Sequence, residues 1–387
     1  MGGARETPGV LLCVVGARPN YMKMAPLLKA FRAHRTLPSS VLVHTGQHYD
    51  LMMNERLFQD LELPPPDINL SVGSATHAVQ TAEIIRRFEP VLDEYRPSCI
   101  VVVGDVNSTL ACSLVAAKKA VPVAHVEAGL RSFDRAMPEE INRVLTDQLS
   151  DLLYTTERSA HENLAREGVP ADKIHFVGNV MIDSLLRLRE RAVPPAETLR
   201  SAGAPPDFLL PENRFGVVTL HRPSNVDRPE ALSESLDLLR AVAERLPLVC
   251  ALHPRTIASI ASFGLNAMLQ STRMLILPPQ GYLEMLGLMA GATLVLTDSG
   301  GMQEETTALS VPCLTMRENT ERPITVDQGT NTLVGRDRER VLALVDEILA
   351  TGGKRGCRPE LWDGRAAERI GVHLAGWLAG RRAQAQV

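Results

Sequence analysis

The sequence lacks any long hydrophobic run, and this absence excludes one class of protein. Nowhere in its 387 residues do about twenty apolar residues follow one another, so a membrane-spanning helix is not predicted. The polar residues 1–9 are not followed by the apolar segment of a signal peptide. The first apolar run, Val10–Val15, has the length of a buried strand. The net charge of −4 gives no reason to expect nucleic acid or an anionic membrane as a partner. We therefore expect a cytoplasmic protein that binds neither.

Cysteine is scarce and is not spaced for metal or disulfide chemistry. The six cysteines include no CxxC pair, so a zinc site has no ligand spacing to rest on. Most of them lie in or beside apolar runs, where cysteine behaves as a small buried hydrophobe. The sequence therefore predicts free thiols in a reducing compartment and no bound metal. The cysteines are Cys13, Cys99, Cys112, Cys250, Cys313 and Cys357.

Several motifs of cofactor and nucleotide chemistry are also missing. No GxGxxG follows a strand, and no GxxxxGK[ST] motif indicates phosphoryl transfer on a P-loop. No HExxH motif points to a metal, and no GxSxG motif points to a hydrolase. The sequence therefore predicts a protein without a cofactor.

Short apolar runs alternate with longer amphipathic segments along the chain. Runs that are apolar on both faces and separated by helices are typical of a parallel sheet covered on both sides. The alternation breaks once, at residues 191–213, where five prolines disfavour regular structure. The pattern predicts an α/β protein with two Rossmann-like parallel-sheet domains and a cleft between them. We assign residues 1–190 to an N-terminal domain, 191–213 to a linker, 214–364 to a C-terminal nucleotide-binding domain, and 365–387 to a helix packing back towards the first domain.

Candidate site residues are expected directly after the strands, because ligands bind beyond the carboxyl ends of parallel strands. The run Val10–Val15 is followed by a turn at Gly16 and by the basic residues Arg18 and Lys23. A glycine turn before a helix N-terminus suits a phosphate or another polar substrate. An ordinary strand-to-helix turn with solvated cations is the alternative.

Three carboxylates follow later strands of the first half. Asp105 follows one apolar run, Glu127 follows the next, and Glu139 opens a helix at Pro138. Each alone could cap a helix or favour its dipole. Together they would gather at one rim of the sheet, where they would repel each other unless they do acid–base work or bind cations.

In the second half, a histidine follows a buried strand twice, at His221 and His253. Each could equally be a structural histidine. The sharper element is residues 297–305, where a strand ends, two glycines allow a ligand close to the backbone, and a helix begins. Free amides at a helix N-terminus bind anions, so this element predicts a nucleotide-diphosphate site. Glu304 or Glu305 could accept hydrogen bonds from ribose hydroxyls.

At these residues the sequence resembles the non-hydrolysing UDP-N-acetylglucosamine 2-epimerases. The family's motifs occur in order over nearly the whole chain, from about residue 10 to about residue 345, and as a set they are highly specific. They read GARP, KMAP, GD, HVEAGLR, PEEINR, HR, TDSGGMQEE and TERP, and they begin at Gly16, Lys23, Gly104, His125, Pro138, His221, Thr297 and Thr320. The resemblance implies the two-domain architecture shared with GT-B glycosyltransferases.

The resemblance also implies roles for matching residues. The catalytic groups would be Asp105, Glu127, Glu139, His221 and Lys23. The groups that bind the UDP-sugar would be Arg18, Arg131, Arg222, His253, Ser299, Gly300, Gly301, Glu305 and Arg322. Within that set, Ser299 and the two glycines would cradle the diphosphate, and Glu305 would contact the ribose.

The chemistry of the implied reaction suits such a set. C2 of the sugar carries a hydrogen that no adjacent carbonyl acidifies, and a dinucleotide motif for transient oxidation is missing. Loss of UDP from C1 makes C1 cation-like, so that C2 can lose its proton to a carboxylate and form 2-acetamidoglucal. Protonation from the other face and return of UDP give the epimer. Carboxylates of different pKa would move the protons, and a helix N-terminus with Arg18 would stabilise the leaving diphosphate.

The sequence departs from the family at a few positions. Asn20 stands where many members carry glutamate. Tyr49 and Asp50 follow Gln47 and His48 where many bacterial members read Gln-His-Arg, and Glu83 stands where they carry an arginine. In those members the region binds a second UDP-GlcNAc as activator. Because its basic character is lost here, we expect an enzyme that does not depend on that activator.

Other interpretations remain open. A hydrolysing epimerase would release free ManNAc, and a related epimerase would act on a modified sugar such as UDP-2,3-diacetamido-glucuronate. A GT-B glycosyltransferase would need an acceptor site, and a binding protein without turnover would have little use for so many carboxylates. The favoured expectation is a homodimer whose small-molecule partners are UDP-GlcNAc and UDP-ManNAc.

Overall fold

The computed structural model describes residues 9–46, 51–205, 208, 214–270 and 273–385. The chain forms two compact units. The first comprises residues 1–184 and 360–387, and the second comprises residues 185–359. Each contains one sheet, and all strand pairings in both sheets are parallel. The predicted α/β fold with two Rossmann-like parallel-sheet domains is therefore confirmed. Within the described ranges, no helix is long and apolar enough to cross a membrane.

The first unit is built on a seven-stranded sheet of order β3-β2-β1-β4-β5-β6-β7. Helices connect the strands, and the closing helix α16 packs against α1. The strands are β1 (Val10–Val15), β2 (Ser39–His44), β3 (Ile68–Asn69), β4 (Cys99–Val103), β5 (Val123–Ala128), β6 (Leu152–Thr155) and β7 (Ile174–Phe176). The helices are α1 (Arg18–Ala33), α2 (Leu51–Asp60), α3 (His77–Tyr95), α4 (Asn107–Lys118), α5 (Pro138–Leu149), α6 (Arg158–Arg166), α7 (Val180–Leu188) and α16 (Ala366–Ala385).

The second unit is built on a six-stranded sheet of order β10-β9-β8-β11-β12-β13. Its strands are β8 (Gly216–Thr219), β9 (Leu248–Cys250), β10 (Met274–Ile276), β11 (Leu294–Thr297), β12 (Cys313–Thr315) and β13 (Asn331–Leu333). Its helices are α8 (Pro195–Ser201), α9 (Pro223–Val226), α10 (Pro229–Ala243), α11 (Pro254–Ser262), α12 (Tyr282–Gly291), α13 (Gly300–Leu309), α14 (Pro323–Asp327) and α15 (Arg338–Thr351).

Apolar strand residues form the core of each unit, as the two-sided apolar runs indicate. All five residues of β4 are buried, and Phe88 of α3 packs in the same core. In the second unit, Val218 of β8 and Leu296 of β11 are buried in the corresponding core. All six cysteines are free thiols, and Cys357 alone among them is exposed.

The division into units differs from the predicted boundaries. Residues 191–213, predicted as a linker, include α8, because Pro195 occupies a first helical position where the missing amide is tolerated. The Val193 amide donates to the Leu283 carbonyl (3.1 Å), which holds this stretch to the second unit. Pro206 and Pro211 lie outside the described residues.

The C-terminal segment is tied to the first unit by its own polar contacts. Asp183 of α7 accepts hydrogen bonds from the amides of Ala366 and Ala367 (3.1 and 2.7 Å), and so caps the N-terminus of α16. The indole of Trp362 donates to the Thr156 carbonyl (3.1 Å). Residues 360–364, which were predicted for the C-terminal domain, therefore pack in the first unit.

In both sheets the strand order reverses once, and the position of the reversal matters for function. Connections run in opposite directions from β1 and β4 in the first sheet, and from β8 and β11 in the second. A doubly wound sheet leaves a crevice at such a switch point, beyond the carboxyl ends of the two strands. The loops at Gly16 and Gly104, and those at Leu220 and Asp298, therefore border the two crevices.

Candidate active site

The loop between β1 and α1 is held by Asn20. Its side-chain oxygen accepts hydrogen bonds from the amides of Gly16 and Ala17 (3.0 and 3.1 Å), and its Nδ2 donates to the Val103 carbonyl (3.0 Å). A Cβ on Gly16 would lie 2.0 Å from the Ser108 hydroxyl, so only glycine fits this turn. Asn20 therefore joins the ends of β1 and β4. Arg18 is half-buried at the start of α1.

Lys23 and Glu127 form a buried ion pair at the rim of the first sheet. The Lys23 ammonium lies 2.6 Å from Glu127 Oε1, and both side chains are about 95 % or more buried. The register between β5 and β6 shifts between Val126 and Ala128, and Glu127 adopts a left-handed φ of 74°. A bulge with strained backbone re-aims a side chain and is common at functional sites. The pairing of Lys23 with Glu127 brings together two of the predicted catalytic residues.

Asp105 lies directly beyond β4 and is paired with Arg143 of α5. Asn142 donates to the Asp105 backbone carbonyl (2.9 Å), which fixes the turn. The neighbouring glutamates of α5 have different environments. Glu140 is buried and accepts hydrogen bonds from the Ser132 and Phe133 amides (3.0 and 2.9 Å), so it has a structural role. Glu139 is only partly buried in the first turn of α5, so its carboxylate is the accessible one.

Arg131, predicted to bind the UDP-sugar, is paired with two carboxylates of its own unit. Its guanidinium is almost fully buried and contacts Asp147 (2.7 Å) and Glu167 (2.6 Å), and it also donates to the Leu130 carbonyl (2.7 Å). Burial lowers the pKa of Arg131, but these two carboxylates outweigh this effect, raise the pKa above its ordinary value and hold the charge in place. A guanidinium committed in this way supports the loop after β5. The role of Arg131 in binding the UDP-sugar stays a prediction, and the contacts seen here are those that stabilise its loop.

In the second unit, His221 is oriented by a buried carboxylate. Its Nδ1 lies 2.9 Å from Asp298 Oδ1, while the ring remains about two-fifths exposed. Asp298 also accepts hydrogen bonds from the amides of His221 and Arg222 (3.0 and 2.9 Å) and from Asn225 Nδ2 (3.1 Å). Burial raises the pKa of Asp298, but these hydrogen bonds outweigh it and hold the pKa below its ordinary value. With Nδ1 held by Asp298, Nε2 of His221 is the nitrogen that can meet a ligand.

The N-terminus of α13 adjoins a buried network of charged side chains. A Cβ on Gly300 would lie 2.6 Å from Glu321 Oε1 and 2.7 Å from Arg322 Nη1, so the glycine lets the network reach the helix end. Glu321 contacts Arg322 (2.6 Å), Arg317 (2.8 Å) and Arg222 (3.6 Å). Ser299 occupies the N-cap position, where its side chain makes no capping hydrogen bond. Three guanidinium groups and free helix amides therefore lie at one place in this unit.

Glu305 is buried one turn into α13 and accepts a hydrogen bond from the Tyr282 hydroxyl (2.9 Å). Burial raises its pKa from 4.5 to about 7, the Tyr282 hydrogen bond opposes this rise, and the neighbouring Glu304 adds to it. Glu304 itself pairs with Arg322 (3.0 Å). The residue predicted to contact ribose therefore titrates near neutral pH.

The raised pKa of Glu305 leads us to predict that the stability of the protein depends on pH. Because the folded state binds the Glu305 proton more tightly than the unfolded chain does, the stabilisation is complete below about pH 4.5 and is lost as pH rises through 7. The difference amounts to about 3 kcal/mol. We therefore expect the free energy of unfolding of the native chain, measured relative to that of Glu305→Gln, to fall by about 3 kcal/mol as the pH rises from about 4.5 to above 7. Urea unfolding followed by circular dichroism at a series of pH values measures it; parallel pH curves for the two proteins would contradict the prediction.

His253 and Gly301 complete the predicted set. His253 is exposed at the N-cap of α11, where its Nδ1 accepts a hydrogen bond from the Arg255 amide (3.2 Å). Gly301 is the second residue of α13 and is half-buried. Within the described residues, no group of three or more His, Cys, Asp or Glu side chains is placed to hold a metal ion.

Comparison with known proteins decides the family. The sequence pattern of the family described as UDP-N-acetylglucosamine 2-epimerase matches residues 29–375. The chain belongs to this family. The resemblance found in the sequence is thus confirmed.

Two relatives and one solved structure show how close the similarity is. The UDP-N-acetylglucosamine 2-epimerase of Methanocaldococcus jannaschii is 41% identical over 363 residues, covering 93% of this chain and 97% of that protein. The UDP-2,3-diacetamido-2,3-dideoxy-D-glucuronate 2-epimerase of Pseudomonas aeruginosa is 42% identical over 373 residues, covering 94% and 99%. The crystal structure of the M. jannaschii UDP-GlcNAc 2-epimerase in complex with UDP-GlcNAc and UDP has a TM-score of 0.83 at 38% identity, covering 95% of this chain and 99% of that one.

Several residues that shape the site in this member of the epimerase family were missed by the sequence reasoning. Asp298 orients His221, Arg143 pairs with Asp105, and Tyr282 contacts Glu305. Asp298 and Arg143 stand inside motifs that were recognised, so their position after a strand or on the PEEINR helix was an available signal. Tyr282 lies outside all of those motifs, so nothing in the sequence around it indicated a contact with Glu305.

Proposed function

We propose that the chain catalyses reversible C2 epimerisation between UDP-GlcNAc and UDP-ManNAc without hydrolysis. Membership of the UDP-N-acetylglucosamine 2-epimerase family carries this proposal. The relatives with that name and the solved complex with UDP-GlcNAc and UDP support it. The reaction would be an elimination of UDP to 2-acetamidoglucal followed by re-addition.

Acid–base chemistry would fall to the carboxylates of the first unit. Glu127 and Asp105 each have a cationic partner, Lys23 and Arg143, and these ion pairs hold the two carboxylates in fixed positions. Glu139 lies at an accessible position in the first turn of α5, so its carboxyl group can exchange protons with solvent or substrate. Different environments for neighbouring carboxyl groups are what separate the roles of acid and base.

The leaving diphosphate would be stabilised in the second unit. The free amides of α13 and the guanidinium groups of Arg222 and Arg322 favour an anion where negative charge develops as UDP departs. His221, held by Asp298, has one ring nitrogen available to donate to the same group or to a sugar oxygen. Glu305 would accept a hydrogen bond from the ribose.

A second candidate substrate rests on one comparison. The P. aeruginosa relative named UDP-2,3-diacetamido-2,3-dideoxy-D-glucuronate 2-epimerase is as similar to this chain as the M. jannaschii enzyme is. Both names describe inversion at C2 of a UDP-linked sugar. They differ in the groups on C3 and C6, so substrate preference is the property to be measured.

The two substrates are tested side by side with the purified enzyme and proton NMR of the anomeric region. We expect UDP-GlcNAc to be converted to UDP-ManNAc, with both remaining as sugar nucleotides. Turnover of the diacetamido-glucuronate compound alone would favour the second candidate. Free ManNAc with UDP would identify a hydrolysing enzyme, and no turnover of either would contradict the proposal.

We also propose that turnover does not depend on a second UDP-GlcNAc. Tyr49 and Asp50 lie outside the described residues. Glu83 pairs with Arg86 and Arg87 (2.9 and 3.1 Å), so a carboxylate of the same helix engages the two neighbouring arginines. Arg87 in turn donates to the Leu70 carbonyl (2.9 Å), which leaves it little freedom to reach a diphosphate.

The test is the reverse reaction, started from UDP-ManNAc freed of UDP-GlcNAc. We expect immediate linear progress, because no activator is needed to start it. A lag that trace UDP-GlcNAc abolishes, or sigmoidal kinetics in the forward direction, would show that an activator site has survived. Proton NMR of the two sugar nucleotides, recorded at short intervals, is a sufficient readout.

A homodimer in the cytoplasm is the remaining part of the proposal. Ile141 and Leu145, one turn apart on α5, are 40% and 46% exposed, and Phe133 before this helix is 71% exposed. Large apolar side chains on one outer helix face favour burial against another protein surface. We expect light scattering to report a dimer, and the double change Ile141→Glu and Leu145→Glu to yield a monomer. Val372→Glu, at an exposed apolar position on α16, serves as control; dimers that survive the double change would exclude this face.

A further inference from the structure

His125 lies in the middle of β5, fully buried, and both nitrogens of its ring are hydrogen-bonded. Nδ1 is 2.7 Å from Asp147 Oδ1, and Nε2 is 2.8 Å from the carbonyl oxygen of Gly104. The sequence contains this histidine within the HVEAGLR motif, but no role follows from the motif alone.

Both partners of the His125 ring are acceptors. A backbone carbonyl can only accept a hydrogen bond, and an ionised carboxylate can only accept one. Asp147 also receives hydrogen bonds from Arg131 (2.7 Å) and from the Gly129 amide (3.1 Å). These two donors, the guanidinium above all, stabilise the ionised form of the Asp147 carboxylate independently of His125. A neutral imidazole carries a proton on only one of its two nitrogens. The other nitrogen would then lie against an acceptor, and no hydrogen bond could form between two acceptors.

We infer that His125 is a buried imidazolium that positions the turn carrying Asp105. Its part in catalysis rests on the proposed function, whereas its protonation does not. The ring donates from Nδ1 to the Asp147 carboxylate and from Nε2 to the carbonyl of Gly104, the residue directly before Asp105. Because it is fully buried, His125 acts through Gly104 and not on the substrate itself.

The backbone at Gly104 shows why such a clamp is needed. Its φ is +67°, and a Cβ at this position would lie 2.8 Å from Lys23 Nζ, so the chain turns sharply under the Lys23–Glu127 pair. The Gly104 amide donates to the Val126 carbonyl (3.0 Å), and its own carbonyl is turned to His125. Two hydrogen bonds with β5 thus fix the turn from which the Asp105 side chain departs.

The positive charge of His125 also has an electrostatic consequence. The charged groups on the packed elements are Asp147 of α5, which contacts the ring, and Arg131 after β5, which contacts the same carboxylate; Glu127 lies two residues along β5, and its partner Lys23 belongs to α1. A fixed cation behind a rim with carboxylates at Asp105 and Glu127 offsets part of their mutual repulsion. A neutral side chain at this position would remove both the charge and the second donor.

The protonation is tested by NMR of the whole chain labelled with nitrogen-15 in its histidine rings. At about pH 8.5, well above the ordinary histidine pKa of about 6.5, we expect one ring to retain protons on both nitrogens. That signal should vanish in His125→Gln and should move in Asp147→Asn, which gives two independent assignments. A neutral ring for His125 at this pH would overturn the inference.

His175 provides the matched comparison within the same unit. Burial and the neighbouring His373 lower its pKa to about 4, so it should be neutral at the same pH. A spectrum in which both rings are neutral, or in which the persistent signal belongs to another histidine, would contradict the inference.

The positioning role is tested by kinetics. Gln in place of His125 keeps one donor but no charge, so we expect kcat to fall about 10²-fold, the effect of a small misplacement of a catalytic group. UDP affinity should stay within about twofold, and His175→Gln should leave both quantities unchanged. A normal kcat in a folded His125→Gln protein would show that His125 does not position the turn carrying Asp105. If the native chain turned over no UDP-sugar, the proposed function would fail while the NMR result would still decide the protonation.

Discussion

Replacement of Glu127 by glutamine is expected to lower kcat about 10²–10⁴-fold while UDP binds nearly as before. Glutamine has the shape of glutamate but cannot take up a proton, and the loss falls on the step at C2. Glu127 is held against Lys23 on a bulge with left-handed backbone, an arrangement that fixes one carboxylate oxygen. The same loss is expected for Asp105→Asn and Glu139→Gln. Single-turnover kinetics together with calorimetric titration of UDP separate catalysis from binding.

The control for these changes is Glu89→Gln, an exposed carboxylate of α3 that pairs with Lys119 and should not alter kcat. Both tryptophans of the chain, Trp362 and Trp377, lie in the first unit, so their fluorescence reports whether each variant is folded. Arg18→Ala and Ser299→Ala should instead weaken UDP binding. Near-normal kcat in all three carboxylate variants would contradict the acid–base roles, and unchanged UDP affinity in the other two would contradict the diphosphate placement.

Replacement of Glu321 by alanine is expected to reduce the free energy of unfolding of the second unit by about 3–5 kcal/mol. Glu321 is buried between the guanidinium groups of Arg317 and Arg322, with Arg222 at 3.6 Å. Its removal leaves the buried guanidinium of Arg317 without this carboxylate, while Arg322 keeps its contact with Glu304. Urea unfolding followed by circular dichroism, with hydrogen exchange of peptides from α13, measures the loss.

The matched control for Glu321 is Glu318→Ala, an exposed glutamate of the same loop, expected to change stability by no more than about 0.5 kcal/mol. UDP should restore part of the loss in Glu321→Ala, because a bound diphosphate would neutralise the same arginines and stabilise the folded state by mass action. Equal, small effects of the two variants would show that Glu321 does not hold the network together.

The sequence was most informative where a rule of the fold applied. Parallel strands end at one edge of a sheet, so Asp105, which follows an apolar run, could be located from the amino-acid pattern alone. Glu127 was expected after its strand but lies inside β5, because the strand continues beyond the apolar run to Ala128. The same rule located His221 and the start of α13. A pattern of apolar residues predicts neither the bulge at Glu127 nor the shift in register beside it.

Pairings between distant residues were the part that the sequence could not supply. Asp298 lies 77 positions from His221, and Asp147 and Glu167 reach back to Arg131, so that a motif arginine becomes a support for its loop. Proline density suggested a linker where α8 forms, since proline breaks a helix only beyond its first turn. Glu139 and Glu140 are neighbours in the sequence, but their side chains leave α5 in different directions. Glu140 is buried and Glu139 is partly exposed, a difference that the sequence did not indicate.

The central claim is that C2 loses and regains its proton through elimination and re-addition of UDP. The most direct test is incubation of UDP-GlcNAc with the enzyme in D2O, without any added cofactor, and NMR of the sugar protons. The elimination mechanism predicts UDP-ManNAc and recovered UDP-GlcNAc that both carry deuterium at C2. Epimer that retains its original C2 hydrogen, or turnover that requires added NAD, would contradict it.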